Sequence, residues 1–322
     1  MHRGVRIALA LMGALVGGAA AADDYPIHPI KVINPWPAGG SSDAVTRIVA
    51  ARLAELLGQP AVVENRPGAT GTIGAAVVAK APADGYTLLL TTNSTYAIAP
   101  HLYRALPYDG TTAFTPIDLI GRNAQILCVN PSLPARDLKA FLAHVRSHPD
   151  GVNFSTAGQG ATSHLATELL EMTAELKMLH VPYRGGAPSV QAVLSGETMV
   201  SFVDVITALP YVTAGQLRAL GASTDARAAM MPDVPTIDEA GVPGFQSSTD
   251  FALFAPAATP PAVIATLVAA SHQALHTQEV AERLHSQGID VIDGGPDMFG
   301  PYWTAETRKW GSVIHTRGIK LE

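Results

Sequence analysis

The chain has 322 residues, 48% of them hydrophobic and 15% charged, with a formal net charge of −6. That length allows one large core or two domains, and the mild acidity excludes a broad electrostatic footprint for nucleic acid. Its one cysteine, Cys128, excludes an intrachain disulfide, so the fold must be held by its core.

Residues 1–22 read as a secretory signal peptide. Arg3 and Arg6 give a positive start, residues 7–16 a short apolar run, and Ala20-Ala21-Ala22 the small residues of a cleavage site. The run is shorter than the roughly 20 apolar residues of a membrane span. No cysteine lies near the site, so a lipid anchor is not supported. Export to the periplasm is the expectation.

Beyond it, apolar runs alternate with helical patterns. Residues 30–33 predict a strand. Val45, Ile48, Val49, Leu53 and Leu56 recur at helical spacing over 43–57, and Gly58 ends that helix. A strand over 61–64, a helix over 72–80 and a strand over 87–91 follow. This βαβαβ order implies a parallel sheet covered by helices.

The middle repeats the pattern. Strands are predicted over 125–129, 152–155, 179–182, 199–203 and 217–221, and helices over 136–147, 163–174 and 189–195. Cys128 falls inside an apolar strand, where a thiol is a packing group rather than a nucleophile. The tail gives a strand over 251–254 and helices over 262–276, 279–287 and 298–311. Two α/β halves without a floppy linker suggest a chain that crosses between lobes more than once.

Four loops share one layout. Gly39-Gly40-Ser41-Ser42-Asp43, residues 91–95, residues 155–164 and Tyr183-Arg184-Gly185-Gly186-Ala187 each follow a predicted strand and are rich in Gly or hydroxyls. A capped βα turn explains any one of them. Ligands of open α/β sheets sit beyond the carboxyl ends of the strands, and helix N-termini aim N–H groups at anions. Four such loops from both halves point to a cleft lined by neutral donors, suited to a carboxylate.

Other chemistries find little support. The glycines of residues 68–74 are spaced GxxGxxG, and neither GxGxxG nor GxxxxGK[ST] occurs, so no nucleotide cofactor is expected. Ser163 and His164 are adjacent on a helix and point apart, and no GxSxG elbow exists. His144 and His148 stand at zinc spacing, but HExxH is absent. Asp204 ends a predicted strand, as a ligand-amine partner or as a turn residue. Arg184 is a carboxylate clamp or a plain surface residue.

Six stretches then carry a family resemblance: NPWPAGGSSDAVTR, ENRPGATGTIGA, APADGYTLLL, STAGQGATSHLATELL, VPYRGGAPSVQAVLSGE and FALFAPAATPPAVIATL. In order, they resemble the signature segments of the Bug family, the extracytoplasmic solute receptors related to the binding component of tripartite tricarboxylate transporters. The resemblance runs from about Pro29 to Gly318. It implies a periplasmic binding protein of the two-lobed type II α/β fold, each lobe a mostly parallel sheet flanked by helices. The lobes would comprise residues 23–123 with 224–322, and 124–223.

The resemblance also implies a monomeric receptor for a di- or tricarboxylate, acidic amino acid or aromatic carboxylate, serving membrane transporter subunits or a sensor kinase. It implies no catalysis, metal or cofactor. Carried over by residue, the first-lobe contacts are Gly40, Ser41, Ser42, Gly71, Thr72, Asn93 and Ser94. Second-lobe contacts are Thr156, Gly158, Thr162, Ser163, Arg184, Gly185, Gly186 and Asp204. The loop around Val203-Asp204-Val205 departs from the family pattern and faces the variable end of the ligand. Asp43 reads as a helix cap, because its charge would oppose an acid. The competing readings are an exported α/β hydrolase or lyase, and a regulator's effector domain, for which no DNA-binding segment precedes the first lobe.

Overall fold

A computed structural model describes residues 25–321, so the signal-peptide expectation lies outside the described residues. The strands are β1 (Ile30–Asn34), β2 (Ala61–Asn65), β3 (Thr87–Thr92), β4 (Phe114–Asn123), β5 (Gln125–Val129), β6 (Asn153–Thr156), β7 (Leu179–Pro182), β8 (Val200–Asp204), β9 (Arg218–Ala222), β10 (Thr249–Pro256) and β11 (Ile289–Gly294). The helices are α1 (Ser41–Leu57), α2 (Thr72–Ala79), α3 (Ala99–Leu102), α4 (Leu138–Ser147), α5 (Thr162–Ala174), α6 (Gly186–Ser195), α7 (Val205–Thr213), α8 (Pro261–Leu275), α9 (Gln278–Ser286) and α10 (Pro296–Arg317).

Two sheets result, ordered β11-β4-β10-β3-β1-β2 and β7-β6-β8-β5-β9. The second order repeats β2-β1-β3-β10-β4 of the first strand for strand. In each, three neighbouring strands run parallel and the fourth position is antiparallel. The antiparallel strand is in each case the first strand entered after the chain changes sheets: β5 after β4, and β10 after β9. This is the expected two-lobed α/β architecture, with most strands of each sheet sharing one direction.

Helices cover both faces of both sheets, as continuous apolar strands require. In the first sheet, Val32, Leu88, Leu90 and Leu253 pack with α1 and α8 through Val45, Val49, Leu53 and Leu267. On its other face Ile33, Leu89 and Phe254 pack with Phe299, Trp303 and Trp310 of α10. The rings of Phe254 and Trp303 meet edge to face at 5.2 Å, a favoured aromatic geometry. In the second sheet, Leu127, Val129 and Phe154 pack with α4 and α5, and Ile126, Cys128 and Val203 with α6 and α7. Cys128 is fully buried and its thiol is pushed up to about 12 by that burial, so it is the packing group the sequence indicates.

Four elements escape the sequence pattern: the short α3, β4, α7 and β11. β4 contains Pro116, Asp118 and Gly121, which read as loop. The strand survives because Pro116 lies beyond the stretch paired with β11, and on the β10 side β4 bulges at Ile117 between the residues paired with Leu253 and Phe254. β11 carries two aspartates in six residues. α7 follows Asp204 directly and holds Pro210. α10 runs on to Arg317 past Gly311, where an added Cβ would come within 2.7 Å of the His101 ring; glycine there permits close packing on α3.

α10 also braces the second sheet's α5. Leu165 of α5 joins the Trp310 and Val313 cluster. Arg317 donates to Glu168 at 2.5 Å and Glu171 at 2.7 Å. Glu171 is 2% exposed, and burial raises its carboxyl to about 7 although Arg317 draws it down. Arg317→Met removes the cation and leaves the two carboxylates. Chemical denaturation should show a loss of about 3–5 kcal/mol, the usual result of breaking a buried pair from one side. The loss should deepen as pH rises through about 7, where Glu171 must give up its proton.

Candidate functional site

The loop after β1 starts the site. Its helix, α1, has Gly40 at the N-cap with no side-chain cap, so the first-turn N–H groups are not closed off by a neighbouring oxygen. Asp43, in that first turn, accepts from Gly39 N at 3.0 Å, Arg47 Nε at 3.0 Å and Asn65 Nδ2 at 2.9 Å. Burial opposes its ionisation, but these donors prevail and hold the carboxyl down at about 2. Asp43 therefore pins the loop from behind instead of filling the N-cap.

Ser42 is buried and donates to Asn34 Oδ1 at 2.8 Å, which occupies its proton. Ser41 stays partly exposed. Gly71 has φ +83, and a Cβ there would meet Thr95 Oγ1 at 2.2 Å, so only glycine fits. Thr72 donates to Ala69 O at 2.8 Å. Asn93 is fully buried, donates to Ser248 O at 2.9 Å and accepts from Asp250 N at 3.3 Å. Ser94 is buried at the start of a π turn, Ser94–Ile98.

The second sheet offers a parallel set at the carboxyl ends of β6, β7 and β8. α5 begins after Ala161 and α6 after Gly185, again without side-chain caps. Ser163 Oγ accepts from Ala157 N at 3.1 Å, which leaves its own proton free. Thr162 Oγ1 lies 2.8 Å from Thr249 Oγ1, a contact between the two sheets' segments. Thr156 Oγ1 lies 2.7 Å from His180 Nε2, and burial with the adjacent His164 holds that imidazole down at about 4. Gly158 has φ +135. Gly185 N is bonded to Ala157 O, and Arg184 and Gly186 are exposed.

Ser163 and His164 form no dyad. Ser163 Oγ serves Ala157, while His164 Nδ1 accepts from Gly160 N at 3.2 Å and Nε2 faces Glu168 at 3.3 Å. His144 and His148 have rings 4.5 Å apart, but His148 Nδ1 is engaged with His144 O and Ser147 Oγ.

These contacts sort the named residues into two kinds. Ser42, Thr72, Asn93, Thr156 and Thr162 spend side-chain polar groups inside the protein. Backbone N–H groups at the starts of α1, α5 and α6 have no side-chain cap, and among the described residues the buried Ser163 hydroxyl has a donor but no acceptor. Asp204 is half-buried at the end of β8, and desolvation lifts its carboxyl to about 6, against a hydrogen bond from Gln125.

The match to known proteins decides what kind of molecule this is. Residues 45–319 match the family described as "TctC: Tripartite tricarboxylate transporter family receptor".

The chain belongs to that family.

Protein BugT of Bordetella pertussis is 35% identical over 320 residues, covering 98% of each chain. Among solved structures, R. palustris Rpa4515 with adipate superposes with a TM-score of 0.83 at 33% identity, covering 92% of this chain and all of that one. MatC from Rhodopseudomonas palustris with bound malate gives 0.78 at 33% identity, covering 90% and all of it.

Sequence reasoning missed four polar side chains, two at or just after the end of β1 and two at the first chain crossing. Asn34 Nδ2, Trp36 Nε1, both polar atoms of Asn123 and Gln125 Oε1 are buried without a protein partner. Asn34 and Trp36 stand inside the quoted NPWPAGGSSD stretch. The available signal was position: both lie at or just after the carboxyl end of β1, beside the glycines that drew attention. Ser42→Ala should strand Asn34 Oδ1 as well, at a cost of about 1–3 kcal/mol, measured as a lower denaturation midpoint with an unchanged slope.

Proposed function

We propose that this chain is a periplasmic receptor that closes two lobes over a small dicarboxylate. The observation that carries the reading is that α1 in one sheet and α5 and α6 in the other each start beyond a parallel strand without a side-chain cap, and that the start of α5 touches the first sheet where Thr162 Oγ1 meets Thr249 Oγ1 at 2.8 Å. Such termini favour anions by up to roughly 2 kcal/mol each in a partly buried site. Several together hold a carboxylate without an ion pair. Water excluded on closure strengthens each of them, and hinge closure is the motion such two-lobed proteins use.

In this reading Gly40, Ser41 and Ser42 present backbone N–H groups, with the Ser41 hydroxyl, to one carboxylate. Thr162 and Ser163 present N–H groups and the Ser163 proton from the facing lobe. Gly71, Thr72, Asn93, Ser94, Thr156 and Gly158 shape the loops that carry these donors. Arg184, Gly185 and Gly186 line the rim, and Asp204 meets the far end of the ligand. The adipate and malate of the two structural relatives have the matching chemistry.

The lobes we assign follow the packing. The first crossing is at Asn123–Gln125. Ile237, Val242 and Phe245 pack into the second sheet's core, so we place the second crossing near Ser247, later than the 223/224 division that the family resemblance implies. Residues 1–22 direct export, and the closed monomer docks on a membrane transporter or a sensor. Among the described residues no helix is long and apolar enough to cross a membrane.

The test is a melting series with adipate, malate, citrate, aspartate and benzoate. A ligand at 100 times its Kd stabilises by about 2.7 kcal/mol, which a shifted Tm reports. Ser163→Ala should weaken the best ligand by roughly tenfold, and a series in which none of the five carboxylates shifts the Tm would sink the reading. Asp204 gives a pH signature. Below about 6 it is neutral, and above that value it ionises and repels a second ligand carboxylate. Dicarboxylate affinity should therefore fall as pH rises through about 6, and Asp204→Asn should abolish that fall. If Asp204→Asn instead weakens aspartate selectively, the residue pairs with a ligand amine.

A further inference from the structure

A second group of ligands lies outside the cleft. His272 in α8 and His276 just past its end are four residues apart, on one helix face. Their ring centroids are 4.2 Å apart. Both Nδ1 atoms converge on one oxygen of Asp293 in β11: 2.8 Å from His272 and 3.1 Å from His276 to Oδ2; His276 Nδ1 also lies 2.9 Å from His272 O, the same contact that His148 makes with His144, so the shared carboxylate oxygen is what sets this pair apart. The donor atoms of all three residues fall within 4.8 Å of one another.

The geometry points to a divalent transition-metal site, of the class taken by zinc, built from His272, His276 and Asp293. A tetrahedral ion with bonds near 2.0–2.2 Å holds its donors about 3.3 Å apart. The observed separations need to widen by only a few tenths of an ångström for an ion to replace the bridging protons. Two imidazoles and a carboxylate leave a fourth position open to solvent, and imidazole selects zinc, copper or nickel over magnesium and calcium. The histidines close the C-terminal turn of α8, where the helix dipole favours a cation.

Two buried oxygens behind the cluster support this assignment independently. Asp293 Oδ1 is buried and unpartnered. Asp118 of β4 is 1% exposed; its Oδ2 accepts from Ser271 Oγ at 2.6 Å, but its Oδ1 has no partner. Two histidines thus front two carboxylates whose oxygens are only half satisfied. A bound cation would relieve the repulsion between Asp118 and Asp293.

The site is separate from the cleft. The start of β11, Ile289, pairs with Asn123 at the chain crossing, and Asp293 lies on the order of 10 Å further along the strand. An ion there would tie the end of α8 to the edge strand of the first sheet. The other pair, His144 and His148, has the same spacing, yet among the described residues no third donor joins it. It serves as an internal control.

The purified exported chain, stripped with chelator, is titrated with Zn²⁺ by calorimetry at neutral pH. One ion per chain is the expected result, undisturbed by excess Mg²⁺. His272→Ala, His276→Ala and Asp293→Asn should each weaken it at least tenfold, and His144→Ala with His148→Ala should leave it unchanged. Because His272 and His276 are exposed, their variants should keep the parent circular dichroism and cleft-ligand binding. Co²⁺ substituted for Zn²⁺ should give visible absorption bands that vanish in the His272→Ala, His276→Ala double variant. No stoichiometric Zn²⁺ uptake, displacement by Mg²⁺, or uptake that survives the double variant would overturn the assignment.

Discussion

The two lobes depend on one knot of hydrogen bonds where the chain passes between sheets. Ser223 sits at its centre. Its N–H donates to Gln125 O at 2.8 Å, its hydroxyl accepts from Gln125 N at 3.0 Å and donates to Ser247 O at 2.7 Å, and its carbonyl accepts from Ser247 N at 2.8 Å. Three segments far apart in sequence are thereby laced side by side. A fully buried serine can do this because every one of its polar groups is used, which burial demands. The lacing sits at the start of β5 and just before β10, the antiparallel strands of their sheets.

The knot continues into the first lobe through Asp250. Ser248 Oγ donates to Asp250 Oδ1 at 2.5 Å and Tyr302 to its Oδ2 at 2.6 Å, with Asn93 completing the link to the end of β3. A buried carboxylate is costly unless fully hydrogen-bonded, so this network defines one arrangement of β3, β10 and α10. The same helix ends on Arg317, held by Glu168 and Glu171 of α5. Two crossings and this ion-paired helix tie the first sheet's layer to α5 of the second. The two carboxylates beside these loops are held in opposite ways: Asp43 stays ionised against three donors, and burial lifts the Asp204 carboxyl to about 6.

Most of the fold was legible in the sequence because its central strands are buried on both faces and read as unbroken apolar runs. β5 and β7 have the predicted bounds, and β1, β2, β3 and β6 differ by a residue or so. β4 and β11 were not legible, since Asp118 and Asp293 sit in strands for a reason outside the strands: the serine and histidines of α8 that face them. α7 was hidden because Asp204 reads as a turn and Pro210 as a breaker. In the candidate site the loops were legible from local turn chemistry. The use of each hydroxyl was not, because partners such as Asn93 and Ser248 lie 155 residues apart.

That last difference explains why hydroxyl-rich loops overstate the number of groups left to meet a ligand. A hydroxyl has one proton. Ser42 spends it on Asn34 and Thr72 on Ala69, so each can only accept from outside. Ser163 differs: it accepts from Ala157 N, and its proton is left to give. Accepting polarises the O–H and makes it a better donor, a cooperative effect strongest where water is excluded. Two serines in similar βα loops, one in each lobe, thus have opposite roles: Ser42 braces its loop, and Ser163 is oriented by its loop to donate. The distinction rests on which hydroxyl proton is spent inside the protein, and it is fixed by the partner each loop supplies: an acceptor, Asn34 Oδ1, for Ser42 and a donor, Ala157 N, for Ser163.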